Sequence, residues 1–246
     1  MGLHPIFTQT PAPMTRLTRS ILLGLLIFGG EPAIRAQSNP PVCRNLAKLQ
    51  RAVQQDETQR MVELRSNCPT LLYELRYAGT NNFIRKNLYP ARTRHTYLRQ
   101  QPAQALKKVQ EELQQMGLGL KIWDAYRPYQ VTVAFWELIG DERYVANPAK
   151  GSGHNRGIAV DLTLVQASSG TELDMGTGFD HFSDTAHHSF RSLPSKVLEN
   201  RTLLRNTMEK HGFKFYEEEW WHYSWPEPTR YELLDIQFNR LKRLSR

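Results

Sequence analysis

Alternation of apolar and polar positions is sharpest in IAVDLTL, residues 158 to 164. There Val160, Leu162 and Leu164 fall on one face of an extended chain, and Ala159, Asp161 and Thr163 on the other. This predicts a strand with a carboxylate in its middle. LKIWDA (120–125) reads as a second strand, LLYELRYAG (71–79) as a short one ending near Gly79, and Phe213 opens another. TNNF, just after Gly79, has turn chemistry. Helical spacing marks other stretches. Ala105, Leu106, Val109 and Leu113 share one broad face behind Pro102, which suits the first turn of a helix, and Gly117 and Gly119 end it. Pro128 starts an apolar-rich helical stretch that closes near Gly140, and a third helix runs from about Ser195 to Lys210 before Gly212. Leu46, Leu49, Val53 and, more loosely, Met61 and Leu64 predict one more helix over Arg44 to Leu64, broken by Pro69. Helices and strands joined by unequal connections predict an α+β fold.

The N-terminal stretch has a different pattern. From Met14 it runs MTRLTRSILLGLLIFGGEPAIRA: two arginines, an apolar core from Ile21 to Phe28, then small and mildly polar residues up to Ala36. The core is too short for a permanent span of about 20 residues, and the order is that of a secretory signal peptide cleaved after Ala36. A buried N-terminal helix is the alternative. Residues 1–13 read as an upstream extension, with Met14 as the start. The expected product is exported to the periplasm as a single domain, 37–246, with no stable membrane span.

Composition narrows the class. The chain has 246 residues, 23% charged and 40% hydrophobic, and a domain of this size buries about two-thirds of its surface without a disulfide or metal to hold it together. Removing residues 1–36 takes away three arginines and one glutamate, so the formal charge of +8 becomes +6. No long basic run accompanies that charge, and nucleic-acid binding is not expected. Cys43 and Cys68 could form a disulfide after export, or remain as two buried thiols; their spacing matches no compact cysteine metal site.

Three segments carry candidate chemistry. In GSGHNRGIAVDLTL (151–164), glycines give His154 a permissive backbone and Ala159 leaves room beside Asp161. A buried Asp161 needs a cation, whereas an ordinary turn histidine followed by a solvated aspartate would need nothing. In EEEWWHYSW (217–225), His222 offers a third ligand. Two histidines and one carboxylate leave a fourth position for water, as in catalytic zinc sites. Glu219 suits the base that takes that water's proton, although an acidic triplet also suits a solvated edge. Period-2 parity puts Glu219 and His222 on opposite faces, so their convergence requires a bend. In DAYRP (124–128), Arg127 follows a strand and can aim a fixed fork of donors into a cleft, or lie on the surface. Trp220 and Trp221 are assigned to shape only.

Taken together, Ser152, His154, Gly157, Ala159 and Asp161, followed by Glu219, Trp221 and His222, resemble the zinc peptidase family that contains D-alanyl-D-alanine dipeptidases and related D,D-carboxypeptidases. YELRYAGTNNF (73–83), DAYRP and LDMGTGFD (173–180) point to the dipeptidase branch, and the similar pieces extend from about residue 71 to residue 223. The resemblance implies a compact α+β zinc-peptidase fold with a small antiparallel-rich sheet and flanking helices. It implies one Zn2+ per chain on His154, Asp161 and His222, Glu219 as catalytic base and Arg127 as the transition-state-stabilising arginine. It also implies Ser152 near the substrate carboxylate and Asp174 toward the substrate amino end. The implied reaction is hydrolysis of free D-alanyl-D-alanine to two D-alanine. The alternative is a D,D-carboxypeptidase acting on peptidoglycan stem peptides. One departure is FIRKNLY, which follows where the family commonly has a glycine after the phenylalanine. His181, His187 and His188 are expected in a solvent loop rather than as ligands.

Overall fold

The structure, a computed structural model, describes residues 40–244, all within one unit spanning 37–246. The expected signal segment, its cleavage point after Ala36 and the start at Met14 lie outside the described residues. The alternating segment 158–164 lies in the middle of a five-stranded sheet. Its strands are β1 (Leu72–Tyr73), β2 (Leu118–Asp124), β3 (Ala159–Gln166), β4 (Lys214–Tyr216) and β5 (Glu219–Ser224), in the spatial order β1-β2-β3-β5-β4. β1 runs parallel to β2, and every other neighbouring pair is antiparallel. The α+β, antiparallel-rich expectation holds.

The two faces of β3 have different partners. Leu120 lies opposite Leu164, Ile122 opposite Leu162 and Val160 opposite Tyr223, which makes one apolar face across three strands. That face packs with Leu106, Val109 and Leu113 of the helix Gln100–Gln115 and with Leu204 and Met208 of a later helix, Ser195–Lys210. Burying each such side chain stabilises the fold by about 1.5–3 kcal/mol. A second cluster joins Tyr77, Tyr97, Tyr126 and Phe238 to Phe135 of the intervening helix, Tyr129–Ile139. No helix among the described residues is long and apolar enough to cross a membrane.

Two expectations need correction, and the structure decides one alternative left open, the state of the two cysteines. The helix predicted over Arg44 to Leu64 stops early: it covers Leu46–Gln55 and is capped by the Asn45 side chain, which accepts from the Ala47 and Lys48 amides. Asp56 leaves the helix because its carboxylate accepts from the amide and hydroxyl of Thr58, a local alternative to the helical bond. Met61 is then buried in a strand, Met61–Glu63, paired with Tyr97–Arg99. In LLYELRYAG only Leu72–Tyr73 is strand, and Arg76–Ala78 form a 3-10 turn. Cys43 and Cys68 are buried free thiols in different clusters, so no disulfide joins them.

Candidate functional site

The glycine-rich turn before β3 is a short capped helix, Gly153–Arg156. The Ser152 hydroxyl accepts from the Asn155 amide at 3.1 Å, while the Asn155 side chain accepts from the Ser152 amide at 3.0 Å. Gly157 ends the helix at φ +71°, a left-handed conformation suited to glycine, and turns the chain into β3. Gly153 allows the helix to lie directly on the sheet, because a β-carbon there would stand 2.8 Å from the Ala159 β-carbon. His154 is thereby held over β3 with 2% of its surface exposed. Its Nδ1 lies 2.7 Å from the Ala125 carbonyl oxygen. A carbonyl can only accept, so Nδ1 carries the proton and Nε2 presents a lone pair.

Sheet register supplies the other two candidate ligands. Asp161 on β3 lies opposite His222 on β5 and opposite Asp124 on β2. The β2–β3 pairing slips between Ile122 and Asp124, and this bulge makes Asp124 the direct neighbour of Asp161. The His222 Nδ1 lies 3.0 Å from Asp161 Oδ1, the His154 Nε2 lies 3.4 Å from the same oxygen, and the two imidazole nitrogens are 3.2 Å apart. The second nitrogen of His222 is 3.0 Å from the Ser224 hydroxyl. One ligand atom from each of His154, Asp161 and His222 lies within 4.8 Å of the others. Two imidazoles oriented through their far nitrogens and one buried carboxylate fit a single divalent cation.

The bend required to bring Glu219 to His222 is present. Pairing moves from Phe215–Tyr223 to Tyr216–Glu219, one step along β4 against four along β5. Parity is broken, and the Glu219 Oε2 reaches 3.7 Å from the His222 Nδ1. Burial and the nearby Asp161 and Asp180 carboxylates push the Glu219 pKa well above the usual carboxylate range. Its acidic neighbour Glu217 instead ties down the loop before the last long helix. The Glu217 carboxylate accepts from the Ser189 amide at 2.7 Å, and its carbonyl accepts from the His188 amide at 2.8 Å. Burial alone would raise Asp161 as well, but His154 and His222 hold it well below its ordinary value.

Arg127 is buried rather than on the surface, with 7% exposure. Its Nε and Nη2 both lie 2.9 Å from Asp124 Oδ2, Tyr89 donates to the other Asp124 oxygen at 2.6 Å, and Nη2 is 3.7 Å from Asp161. The guanidinium also lies over the rings of Phe135 and Tyr77, 4.7 and 5.2 Å from their centroids. Although burial opposes its charge, Asp124 drives the Arg127 pKa well above the ordinary value.

His154, Asp161, His222, Glu219 and Arg127 line one cavity of about 370 Å³, together with Ser152, Trp221 and Asp180. Asp174, expected toward the substrate's amino end, does not reach it. Asp174 is exposed, its carboxylate accepts from the Gly176 amide, and its carbonyl accepts from Asn200. The carboxylate that reaches the cavity is Asp180, the last residue of the same LDMGTGFD segment, accepting from the Tyr77 hydroxyl at 3.0 Å. Burial, reinforced by Asp161, pushes Asp180 up to about 7. Glycines between the two aspartates carry the chain from the surface to the cavity, a turn that residue type alone does not predict. Asp124 and Tyr89, which hold Arg127, are further site residues that the sequence reading does not single out; the aspartate of DAYRP is the signal that could have found the first. Trp221 is a buried wall residue of the cavity, and Trp220 is buried against it, their ring centroids 5.5 Å apart. His181 is exposed and His187 partly so, but His188 is buried against the rings of Phe215 and Tyr223, and burial lowers it to about 4.

Comparisons with known proteins show the family. A family model described as D-Ala-D-Ala dipeptidase matches residues 57–241. The D-alanyl-D-alanine dipeptidase of Escherichia coli (strain K12) is 38% identical over 183 residues, 74% of this chain and 93% of the relative. The proteins of that name from Enterococcus faecalis and Enterococcus faecium are each 31% identical, over 62% and 65% of this chain and 84% and 89% of the relatives.

Proposed function

The chain belongs to the D-Ala-D-Ala dipeptidase family, and on that footing we propose that it is a zinc peptidase that hydrolyses free D-alanyl-D-alanine to two D-alanine. The observation that carries this reading is the convergence of His154, Asp161, His222, Glu219 and Asp180 on one cavity. His154, Asp161 and His222 would hold one Zn2+, the divalent ion best suited to two imidazoles, a carboxylate and an open position. When bound, that ion supplies Lewis acidity that brings the pKa of a water toward about 7 and offsets negative charge on oxygen.

The remaining chemistry falls to this chain's side chains. Glu219 takes a proton from the attacking water and returns it to the departing amine. Its raised pKa in the metal-free protein reflects burial and crowding by carboxylates, so a cation among them favours the ionised form needed for the first transfer. Arg127 spends its Nε–Nη2 edge on Asp124. The guanidinium N–H groups not committed to Asp124 are available to the oxyanion of the tetrahedral transition state. Asp180 receives the substrate ammonium, and Tyr77 fixes its orientation. Ser152 keeps its hydroxyl proton free for the substrate carboxylate because its oxygen accepts from Asn155 in the helix cap. An ammonium bound at Asp180 favours a free dipeptide over a longer peptide, which has no amino group beside the cleaved bond.

Export to the periplasm is the second part of the proposal, supported by the arginines, short apolar core and small residues of 14–36. N-terminal sequencing of the mature protein should begin just after Ala36. The decisive functional test is hydrolysis by metal-quantified protein of D-Ala-D-Ala against an N-acylated stem-peptide mimic. Preference for the free dipeptide is expected; strong preference for the acylated peptide would instead assign a D,D-carboxypeptidase.

A further inference from the structure

The catalytic groups occupy one part of the cavity, and at its far end Glu142, Arg143 and Lys150 also line it, with the Arg143 guanidinium 5.2 Å from the Tyr144 ring centroid. Between the two, ring contacts run outward from Tyr77, the residue whose hydroxyl binds Asp180. Tyr77 meets Phe83 with centroids 6.4 Å apart, Phe83 meets Phe182 at 5.1 Å, and Phe182 meets Tyr144 at 4.8 Å. All four rings line the cavity. Phe135 backs the row, 5.2 Å from Phe83 and 4.7 Å from the Arg127 guanidinium. Phe83, Phe182 and Tyr144 come from three separate loops and are only partly buried, so they present ring surface without being closed into the core. Such surface gains most from covering apolar ligand atoms. The methyl groups of D-Ala-D-Ala offer it little.

We propose that this aromatic row is an apolar subsite for the side chain on the amino side of the scissile bond. The chain then also hydrolyses D,D-dipeptides with a large aliphatic or aromatic first residue, such as D-leucyl-D-alanine and D-phenylalanyl-D-alanine. This inference rests on the reading of Asp180 as the ammonium partner: with the ammonium there, the first side chain starts beside Tyr77 and Phe83 and extends toward Phe182 and Tyr144. The reaction is otherwise unchanged. One water is consumed, the amide C–N bond breaks as a C–O bond forms at the acyl carbon, and the proton goes to the released amine.

The test measures kcat/KM for D-Ala-D-Ala, D-Leu-D-Ala and D-Phe-D-Ala with the wild-type protein and with Phe182→Ala, Phe182→Leu and Tyr144→Ala. D-Phe-D-Ala is expected within about tenfold of D-Ala-D-Ala in the wild type, a margin set by what hydrophobic contacts contribute to discrimination. The ratio of the two should fall about tenfold in Phe182→Ala and be largely restored in Phe182→Leu. A wild-type ratio below about one hundredth, or a ratio unmoved in both alanine variants, overturns the subsite. If no dipeptide is hydrolysed at all, the dipeptidase reading fails first. Calorimetric binding of D-Phe-D-Ala to zinc-loaded protein then decides the subsite separately: weakening of about tenfold in Phe182→Ala supports it, and equal or absent binding overturns it.

Discussion

Replacing Gly153 by alanine would test whether the close approach of one short helix to the sheet sets metal affinity. The added β-carbon would stand 2.8 Å from the Ala159 β-carbon and 3.2 Å from the Ser224 hydroxyl. Relaxed carbon–carbon contacts are about 3.5–4.0 Å, so the helix must lift by about 1 Å. Gly153 is not in the left-handed region, and alanine brings no backbone penalty there. The displaced neighbour is His154, whose Nε2 sits 3.4 Å from Asp161 Oδ1. Metal–ligand distances tolerate only about 0.2 Å. Overpacking of this kind costs about 1–3 kcal/mol, and if it is expressed on the metal-binding geometry the zinc affinity falls roughly 10- to 100-fold. Chelator-competition titration would measure it, with thermal melts of the metal-free protein as a control. Adding Ala159→Gly removes the opposing methyl and should recover most of the affinity, although glycine in the strand costs about 1 kcal/mol of stability. A Gly153→Ala protein that binds zinc as tightly as the wild type, or a double variant with no recovery, would refute the reasoning.

Three further outcomes are expected. His154→Ala and His222→Ala should lose metal and activity together, whereas Glu219→Gln should keep stoichiometric metal and lose about 10²- to 10⁴-fold in turnover; metal analysis beside kinetics separates these, and normal turnover in Glu219→Gln would remove it as the base. Arg127→Lys should keep a charge beside Asp124 but lose the fork, lowering kcat/KM by about 10²-fold with metal content intact. Arg127→Ala should in addition lower stability by about 3–5 kcal/mol, read by denaturant melts, because Asp124 is left buried and unpaired. The last outcome concerns pH. Asp180 is raised from 3.8 to about 7, so within that window the metal-free folded protein holds a proton that the unfolded chain has released. Its contribution to stability is present at the low end and is lost as pH rises through about 7. Unfolding free energy should therefore decline less steeply across this window in Asp180→Asn than in the wild type, and parallel curves would contradict the raised value.

How much of the site is legible in the sequence depends on whether its residues are tied to local pattern. His154 and Asp161 can be named because a histidine among glycines and a carboxylate inside an apolar strand are each anomalous within a few residues, whereas His222 is named through the resemblance. The resemblance points to Asp174 rather than Asp180 although both sit in one short segment, and only the path through Gly176 and Gly178 decides which carboxylate reaches the cavity. Asp124 is hidden by parity. On a regular strand it would share the face of Ile122, and the bulge is what sets it beside Asp161. The helix expected across Arg44–Leu64 fails for a similar reason: apolar spacing continues past Asp56, but the Asp56 side chain captures the Thr58 amide.

What the amino-acid order determined by itself is therefore the set of elements with strong periodicity and the inventory of ligating groups, since both follow from interactions within a few residues. Tertiary structure decided which of those groups meet. The slip that brings Glu219 back to His222 depends on pairing between β4 and β5, and the 2.8 Å clearance over Ala159 on the packing of helix against sheet. The aromatic row is assembled from loops far apart in the chain. Each arises from contact between distant segments, where a shift of one residue or one ångström changes which atoms face the cavity.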